Sequence, residues 1–290
     1  MTHPTAKPAR PFRSVLYIPG SNARALEKAQ GLAADAIIFD LEDAVAPEEK
    51  TRARDVLAQA LRADYGARAR IVRINAFDTE WGRADAAAFA DHPGVDAVLI
   101  PKVSTPADLD AVAALVPGKP LWAMMETAQG MLNAGAIAAH PAVQGMVMGT
   151  NDLAKELGAR FRADRLPMMA GLGLCLLAAR AHALVIVDGV YNAFKDDAGL
   201  RAECEQGRDM GFDGKTLIHP AQVAIANATF SPSLEEIELA KRQIEAFEVA
   251  IEQGFGVAVV DGRIVENLHV KVAKATLAKA VAIAELGALI

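Results

Sequence analysis

Ser14-Val-Leu-Tyr-Ile-Pro-Gly-Ser-Asn22 is the stretch on which the fold turns. An apolar run of strand length meets a Pro-Gly turn, and Asn22 then stands where a helix N-cap is expected, ahead of an Ala-rich segment at 22–33. A doubly wound nucleotide-binding sheet would place G-x-G-x-x-G at this first turn. Here the turn holds one glycine, Gly20. The same strand-then-helix phrase recurs at Ala36–Leu41, Arg70–Ile74, Ala97–Val103, Leu121–Met125, Gln144–Met148, Leu184–Val187 and Thr216–Ile218. None of these runs alternates polar with apolar, so each reads as a strand buried on both faces. Eight alternating βα units predict an α/β protein with a (β/α)8 TIM barrel, a fold of roughly 250 residues.

The helices are marked by their starts. Pro47–Ala63, Pro106–Leu115 and Ala221–Ala228 begin at or beside proline, which suits a first helical turn. Asp152–Leu157 and Met169–His182 follow the sixth strand. Beyond Ser231 the pattern changes. Leu234–Gln253 reads as an amphipathic helix, Gly256–Ile264 as a hairpin turning at Asp261-Gly262, and Val270–Leu286 as a further helix. The chain therefore divides into a mobile arm at 1–12, a barrel at 13–230 and an extension at 231–290. That extension is expected to pack on the barrel or on a neighbouring subunit.

Composition narrows the function. The 290 residues are 52% hydrophobic and 23% charged, enough to bury a large core. A net charge of −6 without any basic run argues against a nucleic-acid surface. Two cysteines, Cys175 and Cys204, make neither a disulfide framework nor a metal pair, and fit reduced thiols in a cytoplasmic protein. Leu172–Val187 is too short and too interrupted by Arg180 and His182 to span a membrane. Met1–Arg13 has three prolines and no apolar core, unlike a secretory signal.

Barrel active sites sit where strands end, and every strand here ends on a polar group. The series runs Gly20-Ser21-Asn22 with Arg24, Asp40-Leu-Glu42-Asp43, Arg73 and Asn75, Lys102, Glu126-Thr127, Thr150-Asn-Asp152, Asp188, and His219. Glu126 and Asp152 close consecutive strands. Two carboxylates held together repel unless a proton or cation lies between them. Hard oxygen ligands suit Mg²⁺, with Mn²⁺ as a substitute. The plainer reading makes Asp152 a helix cap. Arg73 can grip a carboxylate in bidentate fashion, or pair with Asp40 or Glu42. Lys102 stands at a position used by Schiff-base lysines, but neighbouring carboxylates would keep it charged and favour an ion pair. His219 reads as structural beside Pro220. No Gly-x-Ser-x-Gly elbow occurs.

Taken in order, Arg13-Ser-Val-Leu-Tyr-Ile-Pro-Gly-Ser21, Ile38-Phe-Asp-Leu-Glu-Asp-Ala-Val45, Val72-Arg-Ile-Asn75, Ile100-Pro-Lys102, Met125-Glu-Thr-Ala128 and Gly149-Thr-Asn-Asp-Leu153 resemble the citrate lyase β-subunit-like and malyl-CoA lyase family. The resemblance implies a trimeric or hexameric barrel that makes or breaks a C–C bond in a 3-hydroxyacyl-CoA thioester with Mg²⁺. It implies Glu126 and Asp152 as metal ligands, and Arg73 as binder of the substrate carboxylate. Glu42 and Asp43 would accept hydrogen bonds from the metal's water, with Asp40 and Lys102 beside them. Ser14, Gly20, Ser21 and Arg24 would contact the thioester carrier. One stretch departs from the family. Where many such lyases carry Gly-x-Met-Ile-Asp-x-Pro, with Asp as acid–base, this chain has Gly262-Arg-Ile-Val-Glu-Asn-Leu-His269. Glu266 takes the Asp position, and its extra methylene shifts the carboxylate by roughly an ångström, a misplacement that can cost about 100-fold.

The expected activity is thus cleavage of a malyl-, methylmalyl- or citramalyl-CoA into a 2-oxo acid and a shorter acyl-CoA. Three alternatives stay open. One is a thioesterase acting on malyl-CoA-type thioesters. The second is a citrate lyase β subunit served by an acyl carrier protein, and the third is a barrel aldolase or phosphoenolpyruvate enzyme acting without CoA.

Overall fold

The computed structural model describes residues 10–289. Most of the expected N-terminal arm lies outside the described residues. Its last residue, Phe12, is no arm: it is buried, with its ring centroid 5.1 Å from that of Trp122. The chain forms two compact units, one over 12–230 and one over 231–289.

In the first unit eight parallel strands pair in sequence order and close on themselves. They are Ser14–Pro19 (β1), Ala36–Asp40 (β2), Ala69–Arg73 (β3), Ala97–Ile100 (β4), Leu121–Met125 (β5), Val143–Met148 (β6), Val185–Asp188 (β7) and Gly214–Leu217 (β8). Side chains alternate between two separate cores. Val15, Ile38, Ile71, Leu99, Trp122, Met124, Val147 and Val187 fill the barrel interior. Leu16, Ile37, Phe39, Val72, Val98, Ala123, Met146 and Ile186 pack outward under the helices. Both faces are apolar, which is why no alternation shows in the sequence. Register brings functional strand ends level: Pro19 pairs with Asp40, and Asp40 with Arg73.

The helices begin where local chemistry allows. Asn22 caps Ala23–Ala29 by accepting from the Ala25 N–H at 3.0 Å. Pro47 opens a 3-10 turn that leads into Lys50–Ala60. Two helices not singled out from the sequence, Gly82–Phe89 and Asp197–Met210, follow β3 and β7. The latter buries only Leu200, Cys204 and Gly207, so its apolar stripe is narrow and easily missed among charges. Both cysteines are free and buried.

The second unit has a core of its own. Helix Leu234–Glu252 starts on a Ser233/Glu236 capping box. Ala258–Val260 (β9) and Arg263–Val265 (β10) form an antiparallel hairpin. Asp261 and Gly262 turn it, at φ 51° and 74°. Helix Asn267–Leu289 packs against the first helix, and Phe247, Ala250, Val260, Val265 and Val270 close the core. No helix among the described residues is long and apolar enough to cross a membrane.

Candidate active site

At the C-terminal ends of the strands the interior columns change character. Val15 is followed two residues on by Tyr17, Ile38 by Asp40, Ile71 by Arg73, Met124 by Glu126 and Val147 by Gly149. The period-two rule that packs the core therefore aims these groups at the barrel mouth. They line a cavity of about 310 Å³, together with Asp43, Thr150 and Asp152.

Arg73 is the hub. Its Nε and Nη2 donate to the two carboxylate oxygens of Asp40 at 2.7 and 2.6 Å. Its Nη1 lies 2.8 Å from Glu42 Oε2 and 3.6 Å from Asp43. The guanidinium also lies over the Tyr17 ring, 5.1 Å from its centroid. Burial alone would lower the Arg73 pKa; Asp40, Tyr17 and Glu42 outweigh it and hold the group charged. Burial also raises the Tyr17 hydroxyl, against the opposing pull of Arg73. The pairing of Arg73 with Asp40 and Glu42 is thus present, yet only Nε and Nη2 are spent on aligned hydrogen bonds. Nη1 is held at ion-pair distance by Glu42. Asp40 also accepts from the Glu42 and Ala44 N–H groups and so shapes the loop after β2.

Glu126 is 2% exposed. Its Oε1 accepts from the Lys102 backbone N–H at 2.8 Å. Desolvation first, then the charge of Glu42, push its carboxyl up to about 7, and Asp152 adds to the rise. Lys102 adopts φ 54°, a left-handed conformation that a side chain resists. Its ammonium donates to Glu42 Oε1, and that anion, against desolvation, keeps the lysine charged. A charged lysine is no Schiff-base nucleophile. Glu42 is raised by burial and pulled back by Arg73 and Lys102. Its Oε2 is buried and accepts no aligned hydrogen bond.

Among the described residues no group of three or more His, Cys, Asp or Glu is placed to hold a metal. Glu126 and Asp152, the pair expected from the sequence, both line the cavity. Two hard carboxylates facing an open mouth fit Mg²⁺, which keeps waters and takes further oxygens from substrate. Gly149 shapes the cradle: a Cβ there would fall 2.5 Å from Glu126 Oε2.

Other residues singled out in the sequence lie elsewhere. Ser14 starts β1, at the opposite end of the barrel from Glu126. Its hydroxyl donates to Asn227 and accepts from the Asp35 N–H. The Gly20 N–H donates to the Asp40 carbonyl, so it is not free for a ligand. Ser21 is half-buried, and Arg24 is exposed on the first helix. Asn75 does not line the cavity; it is clamped between Asp85 and Lys50. Asp188 shares the outward parity of Ile186, so the expected rim group is buried behind the barrel with Arg165 and Lys215. Eight polar strand ends therefore do not make eight rim residues, and the seventh has a packing role. His219 caps Pro220–Gln222 and stacks on Phe194, with ring centroids 4.8 Å apart. Glu266 belongs to the second unit, where its N–H donates to His269.

Three contributors escaped the sequence reading. Tyr17 looked like strand core, although its place in the Val15 column is readable once parity is known. Lys50 Nζ donates to the Leu41 and Glu42 carbonyls and to Asn75, pinning the loop that carries Glu42. Gly149 was quoted as part of a motif, but its contact with Glu126 crosses two strands.

A parallel eight-stranded barrel with a carboxylate pair and a buried arginine at its mouth defines the class. Residues 13–220 match the HpcH/HpaI aldolase/citrate lyase family, and the chain belongs to it. A (3S)-malyl-CoA thioesterase of Cereibacter sphaeroides is 76% identical over 280 residues, covering 96% of this chain and 98% of that protein. An L-malyl-CoA/beta-methylmalyl-CoA lyase of Cereibacter sphaeroides is 34% identical over 308 residues, covering 95% and 96%. The crystal structure of CitE from Mycobacterium tuberculosis in complex with magnesium, acetoacetate and coenzyme A superposes with a TM-score of 0.79 at 28% identity, covering 94% of this chain and 99% of that one. The chain is an enzyme of this family. Carbon–carbon cleavage, the first expectation, is the activity named for the 34% identical relative, and thioester hydrolysis that named for the 76% identical one.

Proposed function

We propose that this protein hydrolyses a malyl-CoA-type thioester to the free hydroxy-dicarboxylate and CoA. The observation that carries the reading is the 76% identity, along nearly the whole chain, to the malyl-CoA thioesterase. The lyase reading rests on the 34% identical relative. Glu266 in place of the lyases' Asp favours hydrolysis further.

Arg73 would pair with the substrate's terminal carboxylate from the wall of the cavity, while Asp40 holds the guanidinium plane. Glu126 and Asp152 would hold Mg²⁺, for which Mn²⁺ is a chemical substitute; the ion supplies Lewis-acid polarisation of substrate oxygens. Lys102 keeps Glu126 and Glu42 in place from both ends of one residue. In the reaction a water oxygen bonds to the thioester carbonyl carbon and the C–S bond breaks. The sulfur leaves with its electron pair and is protonated to the thiol. Positive charge at Arg73 offsets the charge that builds on the acyl group. Glu266 keeps the acid–base role implied by the family resemblance, and Arg24 and Ser21 the carrier contacts. A homotrimer or hexamer in the cytoplasm completes the reading.

Product analysis decides it. Purified protein, malyl-CoA and Mg²⁺ should release malate and free thiol in equal amounts. Glyoxylate with acetyl-CoA would establish the lyase instead. Inactivity on free CoA thioesters, with activity on a carrier-protein thioester, would point to the citrate lyase subunit.

A further inference from the structure

Tyr17 is the aromatic side chain in the wall of the catalytic cavity. It projects inward from β1, in the column above Val15. Its hydroxyl donates to the Met124 sulfur on β5 at 4.0 Å. β5 stands four steps round the closed barrel from β1 in either direction, so the two strands face each other. The phenol therefore reaches across the barrel mouth and ends beside Met124, which also lines the cavity. The Arg73 guanidinium, a third wall group, lies over the ring, 5.1 Å from its centroid.

The hydroxyl is poorly used as the structure stands. A thioether is a weak acceptor, and a substrate oxygen would replace it with gain. Burial keeps the phenol protonated, so it is a donor and not an anion. The other donors of the cavity are more committed. Arg73 is held by Asp40 and Glu42, and the Asn151 amide exchanges hydrogen bonds with Asn192 at 2.8 and 3.2 Å. Thr150 brings the second hydroxyl of the wall, at the start of the helix that carries Asp152. Of the two hydroxyls, Tyr17 is the one that the guanidinium covers.

We propose that Tyr17 is a catalytic residue whose O–H donates to the thioester carbonyl oxygen as that oxygen gains negative charge. The proposal rests on the thioester reading above. Three carbon–carbon bonds of about 1.5 Å join the terminal carboxyl carbon of a malyl group to its thioester carbon, a span of roughly 4 Å. A substrate held at one end by Arg73 therefore brings its other end within reach of a ring 5.1 Å from the same guanidinium. As water oxygen bonds to the thioester carbon, the carbonyl π pair moves onto oxygen, and the phenol stabilises it without giving up its proton. The pair returns as the C–S bond breaks, and a proton lost by the attacking water ends on sulfur. A neutral donor fits this place, because it loses no charge when the oxyanion collapses.

The test compares Tyr17→Phe with wild type for consumption of malyl-CoA in the presence of Mg²⁺, with the products identified separately. Phenylalanine keeps the ring under Arg73 and forfeits only a bond to sulfur, so melting curves should coincide. The expected result is kcat lowered about 100-fold with KM unchanged, the mark of a bond made in the transition state. Wild-type kcat in Tyr17→Phe would overturn the proposal. So would a raised KM with kcat unchanged, which would make the ring a positioning residue for Arg73. Product identity speaks to the reading on which this rests: glyoxylate and acetyl-CoA would refute hydrolysis. Charge builds on the same carbonyl oxygen when a C–C bond breaks beside it, so the kcat ratio still tests Tyr17 in that case.

Discussion

Gly149→Ala is the sharpest probe of the carboxylate pair. The Gly149 N–H donates to the Met125 carbonyl at 2.9 Å, which fixes the end of β6 beside the start of the Glu126 loop. A Cβ at 149 falls 2.4 Å from Glu126 Cβ and 2.5 Å from Glu126 Oε2. Carbon atoms prefer separations of about 3.5–4.0 Å, so one side must retreat by about 1 Å. The backbone is not the obstacle, because φ at Gly149 is −96°, open to any residue. The clash is local, with an overpacking cost of about 1–3 kcal/mol. A displacement of about 1 Å at a catalytic group costs about 100-fold in rate, or about 2.7 kcal/mol of transition-state stabilisation. Steady-state kinetics against malyl-CoA over a magnesium series, with circular dichroism as the folding control, gives the readout. The expected result is a folded protein with kcat/KM lowered about 100-fold and a raised magnesium requirement. A folded variant with wild-type kinetics and magnesium response would refute the placement of Glu126 as a metal ligand.

Three further outcomes follow from the same geometry. Lys102→Gly and Lys102→Ala both remove the ammonium that holds Glu42, but only Ala keeps the cost of φ 54°; the Gly variant should be about 0.5–1 kcal/mol more stable in urea titrations, after its own entropy cost. Asp188→Asn leaves Lys215 and Arg165 without their buried anion and should destabilise by about 3–5 kcal/mol at neutral pH. The Asp188 carboxyl is held below its usual range because Lys215 and Arg165 outweigh desolvation. Its contribution is therefore full above the unfolded value of about 3.9 and is lost as pH falls through the lower folded value, so melting curves of wild type and variant should begin to approach each other only below about pH 4. Gly173→Ala, inside helix Met169–Ala181 where a Cβ meets nothing within 4 Å, should raise stability by about 1 kcal/mol in thermal or denaturant unfolding.

The order of strands, the Asn22 cap and the Asp261-Gly262 hairpin turn were legible from sequence because each depends on residues a few positions apart. Arg73, Glu126 and Asp152 were legible for a related reason: a polar group that ends a long apolar run has few places to go but the end of a strand. Asp188 shows the limit of that rule. Its run also ends in a carboxylate, yet that side chain turns outward to Lys215 and Arg165. Asn75 likewise ends a strand and is taken by Lys50 and Asp85.

What the sequence determined by itself was the alternation of buried strands and helices, the residues at the strand ends and the chemical character of the pair that could hold a cation. The tertiary structure alone decided which face each strand end presents. A strand apolar on both sides carries no mark of its inward parity, so the columns from Ile71 to Arg73 and from Met124 to Glu126 exist only once the barrel has closed. It also decided the contacts that span strands, such as Gly149 against Glu126, and Lys102 bridging Glu126 and Glu42. Those distances are set by register and closure, which sum small preferences over the whole sheet and are written in no single stretch of the chain.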